Sequence, residues 1–272
     1  MTQLLFHRLA DIAERVRRAR HTFLFLDFDG TLSPIVNEPA AASMPNDTKR
    51  CLEDLFRSER FSLSIVSGRG LRDLRQRVEL EGIVYAGDYG FAISGAGLHF
   101  VHPRALERVH RLRELIYFLE QRLRGICGLQ FEYKWLTASI HYRKVREGER
   151  EALHAIVEQA VASAGGLFGM AHAPESIVIR PRTNWHKGSA ANYILQATGR
   201  NDALPIYIGD DATDEDAFIA LEGGVTIKVG LTTSTAAHYQ LEHQNAVTPF
   251  LSWLVDLDGA CSEEIEMRGK AR

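Results

Sequence analysis

The stretch Asp27-Phe28-Asp29-Gly30-Thr31 decides the fold of this chain. It follows the unbroken apolar run Phe23-Leu24-Phe25-Leu26, which is typical of a parallel strand covered on both faces. Two carboxylates stand where this strand should end, and Gly30 allows a sharp turn. Open α/β sheets place their ligand sites outside the carboxyl ends of strands, so the pair indicates an active-site edge. Taken alone, the five residues also fit a polar loop without function.

Strands and helices alternate on both sides of this stretch. Apolar residues recur at helical spacing from Leu4 to Val16, which predicts an amphipathic helix that leads into the first strand. Strands separated by helices favour βαβ units and a parallel sheet. We predict helices over 46–57, 71–78 and 250–255, and strands over 61–66, 83–86, 176–179, 205–208 and 225–229.

The middle of the chain has another pattern. A long charged helix is expected over 102–123, followed by two short strands and by a helix that ends near Gly165. This order is typical of a small α+β layer rather than of a doubly wound sheet. We therefore predict an inserted α+β domain at 101–174, between two parts of an α/β core at 1–100 and 175–272.

Composition excludes several classes of function. The chain has 272 residues and a formal net charge of -3, which argues against a nucleic-acid-binding surface. No apolar run approaches the ~20 residues of a membrane helix. The three scattered cysteines form no metal-ligand or disulfide pattern. We expect a cytoplasmic monomer that binds a small molecule, without a nucleic-acid or membrane partner.

Four motifs that follow strands or begin helices carry reactive side chains. They supply a nucleophilic carboxylate, a second acid, a hydroxyl group, a cation and an acidic cluster. This inventory fits phosphoryl transfer through a covalent aspartyl phosphate, assisted by a hard cation. The motifs are Asp27–Thr31, Ser67–Arg69, Lys187 within Trp185–Gly188, and Gly209–Asp214.

Charge repulsion explains why a cation is expected. A phosphate monoester is doubly charged and repels an anionic nucleophile, and Mg²⁺ prefers the oxygen ligands that would lie between them. We predict that Asp27, Asp210 and the main-chain carbonyl of Asp29 ligate magnesium, and that Lys187 neutralises the phosphoryl oxygens. The expected hydrogen-bond donors to these oxygens are the Ser67 hydroxyl and main-chain N–H groups near Gly30 and Gly68.

The two acids of the first motif are expected to divide the labour. Asp27 must be ionised to attack phosphorus, so it is the predicted nucleophile. Asp29 is the predicted proton donor to the leaving oxygen and the later base for water. Neighbouring carboxylates push their pKa values apart, which allows one i, i+2 pair to hold both roles.

These motifs, in this order and over essentially the whole chain, resemble the haloacid dehalogenase-like (HAD) phosphatase superfamily. Its pattern is a DxDG[TV] strand end, a Ser or Thr after the second strand, a later Lys and an acidic GDDxxD. The resemblance implies a HAD-like Rossmannoid core with a mostly parallel sheet and an inserted α+β cap domain.

The finer sequence is similar to one branch, the trehalose-6-phosphate phosphatases. Leu26–Ile35 resembles LDxDGTLSPI, Ile65–Arg69 resembles IVSGR, and Gly209–Phe218 resembles GDDxTDEDAF. Phe131–Lys134 and His141–Arg143 are similar to motifs of the cap of that branch. The resemblance implies Mg²⁺-dependent hydrolysis of trehalose 6-phosphate to trehalose and inorganic phosphate.

The resemblance also implies roles for further residues. Glu132, Lys134, Glu175 and Arg69 become candidate sugar contacts. Glu132 and Lys134 also fit the exposed face of a strand, and Arg69 also fits a cation at a helix start. We expect Asp211 and Asp214 to orient metal-bound waters and Lys187 rather than to ligate the metal directly.

The chain departs from the branch after the third strand. The usual G-[NS]-H-G is Gly87-Asp88-Tyr89-Gly90 here, so no histidine role carries over to this position. Tyr89 either replaces the histidine with a hydroxyl group or packs. The usual W-D-K-G is Trp185-His186-Lys187-Gly188, which keeps the lysine.

Other functions stay open at this point. A related phosphatase could act on sucrose 6-phosphate or a glycosyl-phosphoglycerate, and a phosphomutase could use the same aspartate. A catalytically inactive sugar-phosphate sensor or an interaction domain is the alternative outside enzymes. Degenerate members should lose the nucleophile or the acidic cluster, whereas Asp27, Asp29, Lys187 and Asp210 are all present.

Overall fold

The computed structural model describes residues 2–173 and 175–270, without side chains from 262 to 270. The chain divides into two compact units. The core unit comprises Met1–His99 and Trp185–Arg272, and the second unit comprises Phe100–Asn184. The second unit is therefore an insertion in the sequence of the core unit.

The described residues form two sheets. In chain order, the strands are β1 (Gln3–Leu4), β2 (Thr22–Leu26), β3 (Phe61–Val66), β4 (Val84–Gly87), β5 (Ala92–Gly95), β6 (Leu98–Val101), β7 (Gln130–Tyr133), β8 (Ala138–His141), β9 (Phe168–Ala173), β10 (Ser176–Pro181), β11 (Leu204–Gly209), β12 (Val225–Val229) and β13 (Tyr239–Leu241).

Helices connect most of these strands. In chain order, they are α1 (Leu9–Arg18), α2 (Asn46–Arg57), α3 (Leu71–Val78), α4 (Pro103–Glu107), α5 (Val109–Arg122), α6 (Glu147–Ser163), α7 (Lys187–Ala197), α8 (Glu215–Ala220) and α9 (Val247–Lys270). None of the described helices is long and apolar enough to cross a membrane.

The large sheet has the strand order β1-β13-β12-β11-β2-β3-β4-β5-β6. Neighbouring strands from β1 to β4 in this order are parallel, and β5 pairs with β4 in the antiparallel sense. The predicted mostly parallel α/β core is confirmed. The central position of β2, between β11 and β3, places the end of the Asp27 strand in the middle of the sheet.

Strand β2 is buried along its whole length, as its apolar run predicts. Leu24 and Leu26 belong to the core cluster that also includes Leu52 and Phe250. On the other face, the ring of Phe25 stacks at 6.3 Å from that of Tyr207. A strand covered on both faces needs apolar residues at consecutive positions, which explains the unbroken run.

The second unit contains the small sheet, with the antiparallel strand order β7-β8-β10-β9. Its core consists of apolar side chains from α5, α6 and one face of the sheet. The sequence predicted two strands here, whereas the sheet has four. Strand β9 was missed, and 176–179 was wrongly expected to return to the core.

Pairing with both neighbours decides where β10 belongs. Ile177 lies opposite Ile140 of β8 and His172 of β9, and Ile177 and Ile179 complete the apolar core of the second unit. The domain boundary that we predicted between 174 and 175 therefore lies too early, because β10, which follows it, belongs to the small sheet. The core unit resumes at Trp185.

Three predicted helices differ clearly in extent, and the helix expected over 250–255 spans Val247–Lys270. The helix expected over 102–123 is interrupted at Arg108, whose φ of -95° and ψ of -1° separate α4 from α5. The helix expected from Leu4 becomes α-helical only at Leu9, because Gln3–Leu4 pairs as an edge strand with β13 and Leu5–Arg8 forms a 3₁₀ helix. The pairing contact lies more than 200 residues away in sequence, so local periodicity could not show it.

Leu24→Ala should destabilise the protein strongly. Leu24 is 0% exposed in the central strand, so the change should lower the free energy of unfolding by about 2–5 kcal/mol. Chemical denaturation measures this loss. Ile35→Ala is the control, because Ile35 is 66% exposed and its loss should stay within about 0.5 kcal/mol. Equal effects of the two changes would contradict the placement of β2.

Candidate active site

The ends of two adjacent parallel strands bring the acidic motifs together. Asp27 follows β2 and Asp210 follows β11, and the Asp27 N–H donates to the Ile208 carbonyl at 2.9 Å. Lys187 is the first residue of α7, which belongs to the same unit. Motifs that are more than 150 residues apart in sequence therefore meet at one edge of the sheet, as their positions after strands predict.

A buried charge cluster occupies this edge. Lys187 Nζ lies 3.0 Å from Asp27 Oδ1 and 2.8 Å from Asp214 Oδ1. The three side chains are 2%, 5% and 0% exposed, respectively. An ammonium group removed from water in this way requires carboxylate partners, because its desolvation is otherwise uncompensated.

Burial and mutual repulsion shift the acidities of this cluster. Burial raises the pKa of Asp27 well above its usual range, and Asp214 and Asp210 add to the rise against the opposing charge of Lys187. Burial, followed by repulsion from Asp214 and Asp211, raises the pKa of Asp210 to about 7. For Lys187, burial opposes the charge, but the neighbouring carboxylates outweigh it and raise the pKa.

The carboxylate of Asp214 accepts three hydrogen bonds from protein donors. Its Oδ1 accepts hydrogen bonds from Lys187 Nζ and from the Tyr207 hydroxyl, both at 2.8 Å. Its Oδ2 accepts the main-chain N–H of Asp211 at 3.1 Å. Three donors leave little capacity for a metal ion, so Asp214 is suited to holding Lys187 in place.

The remaining carboxylates fit a hard cation. Oxygens of Asp27, Asp210 and Asp214 lie within 4.8 Å of one another. Asp27 Oδ1 is buried and accepts no hydrogen bond, since Lys187 approaches it only as an ion pair. A buried oxygen with unused acceptor capacity, among like charges, is a site that Mg²⁺ suits by charge and by ligand type. Asp27 and Asp210 are the carboxylates of this group whose oxygens could still coordinate a cation.

Gly30 brings the main chain beside Asp210. It has a φ of +77°, and a Cβ atom added there would lie 2.0 Å from Asp210 Oδ2. No L residue fits both constraints. The expected contribution of the Asp29 main-chain carbonyl to a metal site agrees with this close approach of the 29–30 segment.

The side chain of Asp29 forms an ion pair with Arg69. Arg69 Nε and Nη2 donate to the two carboxylate oxygens of Asp29 at 2.7 and 2.6 Å. Arg69 also donates to Asp73 Oδ2 at 2.8 Å, and its guanidinium lies over the Phe28 ring. The predicted sugar contact Arg69 is therefore engaged with the predicted proton donor, and its contact with a sugar stays a prediction.

The expected phosphate-binding loop is compact. Ser67 is 1% exposed, and its hydroxyl oxygen accepts the Arg69 N–H at 3.2 Å, which leaves the hydroxyl proton available to donate.

Asp211 stabilises the turn that follows it in the acidic motif. Its Oδ1 accepts both the N–H and the hydroxyl of Thr213 at 2.6 Å and caps the turn at 212–214. Hydrogen bonds and nearby cations outweigh the effect of burial and lower the pKa of Asp211.

In the second unit, Glu132 is held by two basic side chains. His141 Nε2 lies 2.9 Å and Lys134 Nζ 3.4 Å from Glu132 Oε2. Burial opposes the charge of Glu132, but these two neighbours outweigh it and lower the pKa. Phe131 packs into the core of this unit, so Glu132 lies on the opposite face of the sheet.

Glu175, the other carboxylate among the predicted sugar contacts, lies in the same unit just before β10 and is also held by basic side chains. Its Oε1 accepts Arg150 Nη1 at 3.0 Å, and its Oε2 lies 3.5 Å from Arg143 Nε. Its φ of +56° is uncommon for a residue with a side chain. Both carboxylates are thus fixed by charge, which is compatible with either a ligand contact or a structural role.

A family model described as trehalose-phosphatase matches residues 25–246. The chain belongs to the trehalose-phosphatase family. The match includes the acidic motif after β2, Lys187 and the cluster around Asp210, so the family and the charge cluster cover the same part of the chain. A haloacid dehalogenase-like hydrolase from Bacteroides thetaiotaomicron shares the fold, with a TM-score of 0.62 at 15% identity over 86% of this chain and 99% of its own.

Two plant members of the trehalose-phosphatase family illustrate the similarity. A trehalose 6-phosphate phosphatase of Zea mays is 34% identical over 89% of this chain and 72% of its own length. Trehalose-phosphate phosphatase B of Arabidopsis thaliana is 31% identical over 88% of this chain and 67% of its own length.

Solved structures agree with the fold. A protein related to trehalose-6-phosphate phosphatase is 25% identical, with a TM-score of 0.76 over 87% of this chain and 98% of its own. The C-terminal domain of trehalose-6-phosphate phosphatase from C. albicans has a TM-score of 0.79 at 19% identity, over 94% of this chain and 98% of its own.

Two residues of the charge cluster escaped the sequence analysis. Tyr207 is 0% exposed on β11 and donates to Asp214, and Lys228 of β12 donates to the main-chain carbonyl of Asp210. The position of Tyr207 in its strand could have indicated it. Residues two apart in a strand share a face, so Tyr207 lies on the same face as Gly209, where the acidic motif begins. Nothing in the local sequence distinguishes Lys228 from an exposed lysine.

Tyr207→Phe should lower the rate of phosphate release more than it lowers the stability of the fold. The ring stays in place, but Asp214 loses a charged hydrogen bond, so Lys187 is less firmly held and kcat/KM should fall about tenfold. Phosphate release under initial-rate conditions measures the change.

Tyr85→Phe provides a matched control for that variant. The Tyr85 hydroxyl is buried and donates to the Leu80 carbonyl at 2.7 Å, outside the charge cluster. Both variants should lose about 1–2 kcal/mol of unfolding free energy, but Tyr85→Phe should keep wild-type kcat/KM. Equal activities of the two variants would contradict a positioning role for Tyr207.

Proposed function

We propose that this family member hydrolyses trehalose 6-phosphate to trehalose and inorganic phosphate, with Asp27 as the nucleophile. The observation that carries the proposal is the convergence of buried Asp27 and Lys187 with partly buried Asp210 in one cluster, within the part of the chain that matches the family. The names of the relatives support the choice of substrate.

The first half-reaction forms a covalent intermediate on Asp27. A carboxylate oxygen of Asp27 attacks phosphorus, and the bond between phosphorus and the sugar oxygen breaks. Asp29 delivers a proton to that oxygen, so trehalose leaves as a neutral alcohol. Division of the reaction into two steps replaces one difficult displacement by two easier ones.

The second half-reaction restores the enzyme. Asp29 removes a proton from a water molecule, whose oxygen attacks the phosphorus of the aspartyl phosphate. The bond between phosphorus and Asp27 breaks, and inorganic phosphate leaves. Asp29 then carries the proton required for the next cycle, so one carboxyl group serves both steps.

Several groups balance the charge that develops on the phosphoryl oxygens. Lys187 supplies a fixed cation, and the Ser67 hydroxyl and the main-chain N–H groups near Gly30 and Gly68 supply neutral donors. Mg²⁺ held by Asp27, Asp210 and the main-chain carbonyl of Asp29 would reduce the repulsion between nucleophile and phosphoryl group. The turn at 212–214, which Asp211 caps, fixes the conformation of the acidic motif.

Asp29 must leave its partner to perform this role. Its two oxygens accept two hydrogen bonds from Arg69, so the ion pair has to open or shift before Asp29 reaches the leaving oxygen. Arg69 then becomes available to the substrate, which accommodates its predicted contact with the sugar. Asp73 remains as a partner that limits how far Arg69 can move.

The second unit supplies the proposed sugar contacts and acts as the cap. Glu132, Lys134 and Glu175 offer charged acceptors and donors, which suit a ligand rich in hydroxyl groups. Their fixed partners would keep these groups oriented before the substrate arrives. The cytoplasmic location, the monomeric state and the absence of nucleic-acid or membrane partners stay predictions.

Asp27→Asn should abolish turnover without unfolding the protein. An amide cannot act as the nucleophile, so phosphate release from trehalose 6-phosphate should fall by roughly 10⁴-fold or more. The control is Asp47→Asn, since the side chain of Asp47 is 70% exposed on the surface of α2. Wild-type turnover by the Asp27 variant would rule out the covalent mechanism.

A panel of sugar phosphates tests the substrate assignment in the same assay. Trehalose 6-phosphate should be hydrolysed faster than sucrose 6-phosphate or a glycosyl-phosphoglycerate, and a chelator should stop the reaction until Mg²⁺ is restored. Transfer of phosphate within a sugar, without release, would indicate a mutase. Absence of hydrolysis for every member of the panel would support an inactive sensor.

Glu132→Gln should weaken sugar binding selectively. The substitution keeps the size of the side chain but removes its charge, so KM for trehalose 6-phosphate should rise about tenfold. Activity toward p-nitrophenyl phosphate, which has no sugar, should stay within twofold. Glu120→Gln on the exposed surface of α5 is the control in the same unit. Parallel losses on both substrates would refute the sugar contact.

A further inference from the structure

A strained turn follows β4 in the core unit. Asp88, Tyr89 and Gly90 have consecutive φ values of +52°, +60° and +87°. Two of these residues carry side chains, and the left-handed region is sterically costly for such residues. Backbone strain of this kind persists only where the surroundings hold it, and it occurs preferentially at functional sites.

The surroundings hold this turn from two sides. The Asp88 N–H donates to the Arg69 carbonyl at 2.7 Å, and the Tyr89 N–H donates to the Ser67 carbonyl at 2.9 Å. On the other side, Trp185 Nε1 donates to the Gly90 carbonyl at 2.9 Å, just ahead of α7. The turn therefore bridges the expected phosphate-binding loop and the segment that leads to the catalytic lysine.

Close contacts leave the turn little freedom. A Cβ atom added to Gly87 would lie 2.5 Å from the Leu71 main-chain nitrogen, and one added to Gly90 would lie 2.4 Å from the Ala190 Cβ. Distances under 3.0 Å are not tolerated unless something shifts. The position of Tyr89 between these two glycines is thus fixed by the backbone on either side of it.

The phenol end of Tyr89 lies against Gly68. A Cβ atom added to Gly68 would lie 2.6 Å from Tyr89 Cζ and 2.8 Å from its hydroxyl oxygen. Tyr89 is 8% exposed, so most of its side chain is removed from water. Gly68 belongs to the loop that is expected to bind phosphate. The phenol ring of Tyr89 occupies the space beside this loop that a side chain at position 68 would fill.

We propose that the Tyr89 hydroxyl is a further substrate contact, which donates a hydrogen bond to a phosphoryl oxygen beside Ser67 and Gly68. The inference rests on the proposed function, because it assumes that this loop binds the phosphoryl group. A dianionic group needs many donors, and Lys187 is already within ion-pair distance of two carboxylates. A neutral hydroxyl adds a donor without adding charge to the cluster.

The competing explanation is that the ring only fills the space above Gly68. Tyr89→Phe separates the two, because it keeps the ring and removes the oxygen atom alone. Tyr89→Leu removes the aromatic ring as well. A packing role predicts a wild-type Phe variant and an impaired Leu variant, whereas a donor role predicts that both variants are impaired.

Affinity for inorganic phosphate is the most direct measurement. Isothermal titration of phosphate in the presence of Mg²⁺ requires no turnover, so it does not depend on the identity of the sugar. We expect Tyr89→Phe to raise the dissociation constant about tenfold, the usual scale for a hydrogen bond to a charged group. Tyr239→Phe, at a partly buried position of β13, should leave it unchanged.

Kinetics then locate the contact on the substrate. The kcat/KM of Tyr89→Phe should fall about tenfold for both trehalose 6-phosphate and p-nitrophenyl phosphate. A loss confined to trehalose 6-phosphate would mean that the hydroxyl contacts the sugar, which overturns the assignment. Values within twofold of wild type for phosphate binding and for both substrates would also overturn it, in favour of packing.

These measurements keep the two proposals apart. Turnover of trehalose 6-phosphate by the wild-type protein tests the proposed function, and the ratio of variant to wild type tests Tyr89. A thermal melt of each variant shows whether it is folded. If Tyr89→Phe melts as the wild type does and binds phosphate equally well, the Tyr89 inference fails while the proposed function stands.

Discussion

The ion pairs of Lys187 with Asp27 and Asp214 are the interaction on which the site depends. All three side chains are buried, so none of the charges is stabilised by water. Removal of the Lys187 ammonium group would leave two carboxylates in the interior without their cation, and breaking a buried pair in this way typically costs about 3–5 kcal/mol. The same arrangement that holds the cluster together leaves one oxygen of Asp27, the proposed nucleophile, without a hydrogen bond.

The backbone must approach the acidic side chains closely for this cluster to form. Glycines permit it: a Cβ atom at Gly209 would lie 2.2 Å from the Asp214 carboxylate carbon, and one at Gly188 would lie 2.4 Å from the Asp216 carbonyl oxygen. With Gly30 beside Asp210, small residues thus allow β2, β11 and α7 to bring their charges together. Reactive residues and glycines in these motifs are parts of one geometric requirement.

The second unit follows the same principle with weaker burial. Glu132 is held by His141 and Lys134, and Glu175 by Arg150 and Arg143. Groups fixed before a ligand binds lose less conformational freedom on binding. The two units therefore share a way of orienting carboxylates, although one is a mostly parallel sheet and the other is antiparallel.

Local patterns in the sequence were sufficient for much of the fold and the site. The unbroken run before Asp27 determined a strand buried on both faces, and polar motifs after strands determined which side chains gather at one edge, because parallel strands end together. The limits of α2, β3, α3 and β12 also follow from periodicity and end signals. In each case the physical cause lies within a few residues of the element.

Tertiary structure decided what depends on partners that are distant in the chain. The pairing of β10 with β8 and β9 assigned it to the second unit, although its apolar alternation equally suited the core. The ion pair between Asp29 and Arg69, which are 40 residues apart, likewise has no local signature. Sequence determines which groups are available, but only the packed chain determines which of them meet, since each such contact joins segments that no short-range pattern connects.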